Sequence, residues 1–166
     1  MQPFFMTFDE SRLSSPAFFA ENRVRAHADH IAYASREEAA AGKSSLRLSL
    51  AGLWKFFCAQ NPGQIIPGFE SPVYDCRGWA DIPVPAHIQM EGYGVPQYAN
   101  VQYPWDGRET LEVGDMPTQF NPVACYVKTF TLPQAMEGRR VFVSFEGAES
   151  CVAVWLNGQY VGFSSD

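Results

Sequence analysis

The stretch SCVAVWLNGQYVGF, Ser150 to Phe163, decides the fold. Apolar and small or polar residues alternate on either side of Asn157-Gly158, and that dipeptide supplies the two left-handed positions that a tight two-residue hairpin needs. Two antiparallel strands are therefore expected here. Upstream, ACYVKTFTL (124–132) and RRVFVSFEG (139–147) alternate with the same period of two and read as further strands. SLRLSLAG (45–52) also alternates, and LWKFFCA (53–59) follows it after Gly52, so two strands meeting at a turn are expected there.

Composition agrees. The 166 residues are 46% hydrophobic and 14% aromatic but only 18% charged, enough apolar material for one domain with a sizeable core. Twelve Pro and thirteen Gly break the chain into short elements. The helix-former run REEAAAG (36–42) is too short to stand alone and reads as a surface turn, while a short helical turn near Pro16 is compatible with residues 15–30. The fold class expected is mainly β, an antiparallel β-sandwich with long irregular loops.

Several function classes are disfavoured. A net charge of −6 argues against nucleic acid and anionic membranes as partners. Cys58, Cys76, Cys125 and Cys151 form no CxxC pair, which argues against zinc, and Cys151 reads as a small buried hydrophobe. No secretory signal pattern and no apolar run of about 18 residues is present, so a cytoplasmic setting is expected. His27 and His30 have the i, i+3 spacing of a candidate metal pair.

The longest irregular segment is WADIPVPAHIQMEGYGVPQYANVQYPWDG (79–107), in which Pro83, Pro85, Pro96 and Pro104 rule out a long central strand or helix. Such segments are commonly functional. This one is rich in aromatics: Trp79, Tyr93, Tyr98, Tyr103 and Trp105. Tyr103 and Trp105 could offer an aromatic face to a ligand, although core packing is the more economical reading, as it is for Trp54, Trp79 and Trp155. His87 reads as structural. Two acid pairs are close in sequence, Asp106 with Glu109 and Glu146 with Glu149, and solvated turn acids account for both.

These motifs, in this order, resemble the N-terminal sugar-binding domain of glycoside hydrolase family 2 β-galactosidases. NRVRAHADHIAY (22–33) is similar to the family's lead-in and LAGLWKFFCA (50–59) to its first sandwich strand. The 79–107 loop is similar to the one carrying W-x-x-I-x-V-P and Y-x-N-x-x-Y-P-W. NPVACYVKTF (121–130) matches N-P-x-x-x-Y-x-x-x-F, and FEGAESCVAVWLNGQYVGFSSD (145–166) matches F-x-G-x-x-S-x-x-x-x-W-x-N-G-x-x-V-G.

The resemblance implies a jelly-roll sandwich over residues 22–166, preceded by an arm over 1–21 and truncated at its C-terminal end. It implies a non-catalytic domain of an enzyme that hydrolyses terminal β-D-galactosides, such as lactose, with retention. The two catalytic Glu residues would lie in a barrel absent from this sequence, so no catalytic residue is assigned. Two substrate-binding positions carry over: Asn100, whose amide offers a donor and an acceptor to sugar hydroxyls, and Asp166, which would also help hold sodium. No cofactor is expected in the fragment, with sodium and magnesium implied only for the full-length enzyme. Partners implied are a galactose-containing saccharide, the missing catalytic domain and further copies of the chain. The alternatives are a stand-alone carbohydrate-binding module and an assembly domain in which Phe4, Phe5 and Phe8 dock on a neighbour.

Overall fold

The computed structural model describes residues 8–95, 100, 106–112 and 114–165. Among them are six strands in two antiparallel sheets of three. One sheet has the order β1 (Ala20–Glu21), β6 (Gln159–Ser165), β5 (Cys151–Leu156), and the other β3 (Ala80–Val84), β2 (Gly52–Ala59), β4 (Val123–Val127). The mainly β, antiparallel architecture is as expected.

The hairpin forms where the sequence places it. Asn157 and Gly158 have φ of 52° and 77°, so both central residues are left-handed, which matches the twist of the flanking strands. Leu156 pairs with Gln159 and Trp155 with Tyr160, with a register shift between Val154 and Trp155. Gly158 is also required sterically, since a Cβ there would lie 2.9 Å from Cδ of Pro72.

In the other sheet β2 is central. Its register sets Phe56 opposite both Ala80 and Tyr126, and Leu53 opposite Pro83. A proline without an N–H is tolerated because β3 is an edge strand. Phe56 and Ile82 are almost fully buried, each 1% exposed. Trp54, Phe56 and Cys58 share one face of β2, and Phe57 and Ala59 share the other. The Phe56 face is covered by Tyr93, whose ring meets that of Phe56 edge-on at 4.5 Å between centroids. From the Phe57 face a chain of rings leads to the other sheet: Phe57–Trp79 at 5.5 Å, Trp79–Phe69 at 5.7 Å, Phe69–Trp155 at 6.4 Å and Trp155–Tyr160 at 5.6 Å. The three tryptophans expected in the core are half-buried, Trp79 and Trp155 within this chain of rings and Trp54 edge-on to the Tyr126 ring at 6.3 Å.

Four expectations are corrected. Residues 45–51 and 139–147 join no strand ladder among the described residues. In the first, the alternation still sorts side chains: Leu46, Leu48 and Leu50 are half-buried while Ser45, Arg47 and Ser49 are exposed. In the second, Val141, Phe142, Val143 and Phe145 are all exposed. Alternation sorts faces but does not provide a backbone partner. The run 36–42 is not merely a turn: α1 (Arg36–Ala41) is a true helix, capped at both ends. Ser35 accepts the Glu38 N–H, the Glu38 carboxylate accepts the Ala34 N–H, and Gly42 at φ 64° closes the C-terminus. Cys151 lies at the start of an outer strand and is exposed rather than buried. Phe8 is not free to dock on a neighbour, because its ring packs on Trp155, Tyr160 and Phe163 at 5.5 to 5.8 Å.

The N-terminal segment is fastened to β6. Ala20 pairs with Ser164 and Glu21 with Phe163, and the Phe18 ring stacks on Phe163 at 4.8 Å. Residues 23–32 then run exposed over the surface. No helix among the described residues is long and apolar enough to cross a membrane.

Candidate functional site

Asn100 lies exposed at a bend in the long loop. Asp166, Tyr98, Tyr103 and Trp105 lie outside the described residues. What is described is how both flanks of the loop are held.

On the N-terminal flank, Tyr93 packs on Phe56, and its N–H donates to the carbonyl of Ile88 at 3.0 Å. His87 is exposed, and its carbonyl accepts the Met90 N–H at 2.9 Å, so its backbone forms part of a turn. On the C-terminal flank, Glu109 receives hydrogen bonds from Thr118, Gln119 and Phe120. Those amide donors, Thr118 first, hold its carboxyl below the usual range. The Arg108 guanidinium lies 3.7 Å from the centre of the Phe120 ring.

Glu109 has both oxygens committed to backbone amides, and Glu146 faces Arg47 at 3.2 Å. A retaining glycosidase needs one carboxyl poised as a nucleophile and another as an acid with a raised pKa. Glu109 is shifted the opposite way.

A second polar cluster fastens the N-terminal segment beside the end of β6. Tyr160 donates to Glu21 Oε2 at 3.0 Å, while Arg12 reaches Glu21 Oε1 at 2.9 Å. Burial, followed by the hydrogen bond and the negative charge of Glu21, pushes the Tyr160 phenol up to about 12, and the Arg12 hydrogen bond draws Glu21 below its usual range. Arg23 Nη1 donates to Ser164 Oγ at 2.9 Å, two residues before Asp166.

An open cleft of ≈ 440 Å³ lies against β2, lined by Phe56, Phe57, Cys58, Trp79 and Tyr93 among others. Among the described residues that line it are neither Asn100 nor a carboxylate. The rings of His27 and His30 are 6.1 Å apart. Among the described residues no three His, Cys, Asp or Glu come together as metal ligands.

Sequence reasoning missed the roles of Glu109, Glu21 and Gly162. Glu109 carried no signal beyond its charge. Gly162 was part of the V-G motif, but the motif does not reveal the Glu21 carbonyl, which would lie 2.6 Å from a Cβ at this position.

The family model described as glycosyl hydrolases family 2, sugar binding domain, matches residues 47–166. A β-galactosidase of Halalkalibacterium halodurans is 48% identical over 149 residues, 89% of this chain and 15% of the relative. A β-galactosidase of Streptococcus thermophilus is 43% identical, over 95% of this chain and 15% of its own length. A β-galactosidase large subunit of Latilactobacillus sakei is 35% identical, over 93% of this chain and 27% of its own length. The chain thus spans only a small part of the relatives it matches.

Proposed function

From the premise that this chain belongs to the sugar-binding domain family of the family 2 glycosyl hydrolases, we propose that it is the non-catalytic sugar-binding domain of a cytoplasmic β-galactosidase. The parent reaction is retaining hydrolysis of terminal β-D-galactosides of the lactose kind. The observation that carries this reading is the 48% identity to a β-galactosidase across 89% of the chain. A jelly-roll strand order and self-association of the whole enzyme belong to the same reading.

Asn100 contributes to the galactose subsite, with the amide oxygen accepting from one hydroxyl and the amide nitrogen donating to its neighbour. Asp166 accepts from sugar hydroxyls and is one oxygen ligand for a sodium ion, the others coming from elsewhere in the enzyme. Sodium or magnesium, when bound, supplies fixed positive charge beside the subsite. Nucleophile and acid/base come from a catalytic domain outside this chain. That division agrees with the commitment of Glu109 and Glu146 to local partners.

The test is hydrolysis of a nitrophenyl β-D-galactoside by this chain alone and by the chain joined to its catalytic domain. Turnover is expected only from the joined protein, with Asn100→Ala lowering kcat/KM at least about tenfold, as loss of a hydrogen bond to bound sugar should. Turnover by the isolated chain, abolished by replacing one of its own carboxylates, would overturn the assignment. Submillimolar galactoside binding by the isolated chain, lost in Asn100→Ala, would instead mark a stand-alone binding module.

A further inference from the structure

Glu109 follows Asn100 by nine residues, and its carboxylate is wholly committed to one short run of chain. Oε2 accepts the Thr118 N–H at 3.0 Å and the Thr118 hydroxyl at 3.2 Å. Oε1 accepts the N–H of Gln119 at 3.0 Å and that of Phe120 at 3.4 Å. Hydrogen bonds to an ionised acceptor are stronger than neutral ones, and four converging donors fix the orientation of the side chain. Glu109 itself is half-buried, and the Arg108 guanidinium over the Phe120 ring closes the same junction from beside it.

The run that Glu109 grips is anchored in turn. Pro117 is buried, and its carbonyl accepts from Asn121 Nδ2 at 3.2 Å. The Asn121 N–H donates to the Gln60 carbonyl at 3.1 Å, just beyond the Ala59–Val123 pair that ends the β2–β4 ladder. Glu109 is therefore tied, through residues 117–121, to the central sheet. Seven residues before Asn100, Tyr93 is seated on the buried ring of Phe56. Asn100 lies on the chain between these two fixed points.

We propose that Glu109 is a positioning residue for the sugar contact of Asn100: the carboxylate never meets the ligand, but by clamping residue 109 to 118–120 it fixes the C-terminal side of the loop that presents the amide. This inference rests on the reading of Asn100 as a sugar contact. Glutamine is the informative replacement. It keeps the shape but turns one acceptor into an NH₂ group facing N–H donors, so two of the four bonds are lost and a donor opposes a donor.

The experiment is nuclear magnetic resonance on this chain, wild type and Glu109→Gln, following amide hydrogen exchange and the Asn100 side-chain amide. In the variant the amides left facing the NH₂ group, Thr118 in one orientation or Gln119 and Phe120 in the other, should exchange at least about tenfold faster. The Asn100 amide should shift toward its unstructured position while the amides of β5 and β6 keep their protection. If residues 118–120 lose protection and the Asn100 amide does not move, the clamp is purely local and the proposal fails.

Should the variant not fold, acid titration of the wild type decides the same point. The Asn100 amide should move with the Glu109 carboxyl carbon, and the carbons of Asp106, Glu112 and Asp115 on the same loop are followed alongside. Movement with any other carboxyl, or none, overturns the proposal. The Asn100 reading itself is tested separately, by the effect of Asn100→Ala on galactoside hydrolysis, so the two failures are distinguishable.

Discussion

Gly162 lies directly beneath the backbone carbonyl of Glu21, so closely that a Cβ on it would stand 2.6 Å from that oxygen and 3.2 Å from the Cβ of Asn22. The contact is between backbones, so no side chain can swing aside to make room. Just beside it, Asn22 Nδ2 donates to the Val161 carbonyl at 2.6 Å, and Glu21 pairs with Phe163. The N-terminal segment and the hairpin are thereby one packed unit.

Gly162→Ala is expected to destabilise the chain by about 1–3 kcal/mol, the usual cost of forcing extra volume into a packed site. β1 should detach before the hairpin does. Urea denaturation gives the first quantity, and faster amide exchange at residues 20 and 21 than at 152–156 gives the second. Unchanged stability would mean that the close approach is not maintained in solution.

Phe56→Ala is expected to cost about 3–5 kcal/mol, because it removes a fully buried ring and leaves a cavity between β2, Tyr93 and Tyr126. A marginally stable domain has little more than that to lose. Thermal melting followed by tyrosine and tryptophan fluorescence should show a lowered, broadened transition. A shift of only a degree or two would place Phe56 outside the core.

Much of this was legible in the sequence and some was not, for physical reasons. Asn157-Gly158 specifies its own geometry, so the hairpin could be read from two residues. Residues 45–51 show that a period of two predicts which side chains share a face, and 139–147, exposed throughout, show that it provides neither burial nor a backbone partner, which the rest of the fold sets. Arg36–Ala41 was too short to expect as a helix, yet Ser35, Glu38 and Gly42 form a complete set of caps that length alone does not reveal. Asn100 entered through family likeness and not through any local pattern. Glu109 was set aside as a solvated acid, since nothing in a sequence indicates that three amides nine to eleven residues away will converge on it.

Tyr160 and Glu21 make stability fall at both ends of the pH scale. The Tyr160 phenol is raised from 10.0 to about 12, so its contribution is complete below pH 10.0 and is lost as pH rises through about 12. Glu21 and Glu109 are lowered from 4.5, so theirs is complete above 4.5 and is lost as pH falls through their depressed values. Absorbance titration of tyrosinate should show a late-ionising group that is absent in Tyr160→Phe. Melting temperatures should fall on the acid side below pH 4.5, less steeply in Glu109→Gln. Identical alkaline titration curves for wild type and Tyr160→Phe would exclude the raised phenol.

Thiol reagents should separate the cysteines. Cys151 is exposed at the surface although burial around its sulfur also pushes its thiol up, whereas Cys125 is buried and its thiol is pushed up to about 11, mainly by that burial. Under native conditions Cys151 should be modified first and Cys125 only on unfolding. Mass spectrometry of partially labelled chain identifies the order, and early labelling of Cys125 would show that β4 opens readily.

Pro83 has a consequence for how molecules of this chain meet. A sheet grows by pairing backbone donors and acceptors along its border, and the border formed by β3 is interrupted by a residue with no N–H, with another proline at Pro85 just past its end. The opposite border, along β4, carries no proline between Val123 and Val127. Accretion of one chain onto another is therefore polar: disfavoured along β3 and open along β4, where whatever covers Tyr126 and its neighbours also guards against aggregation.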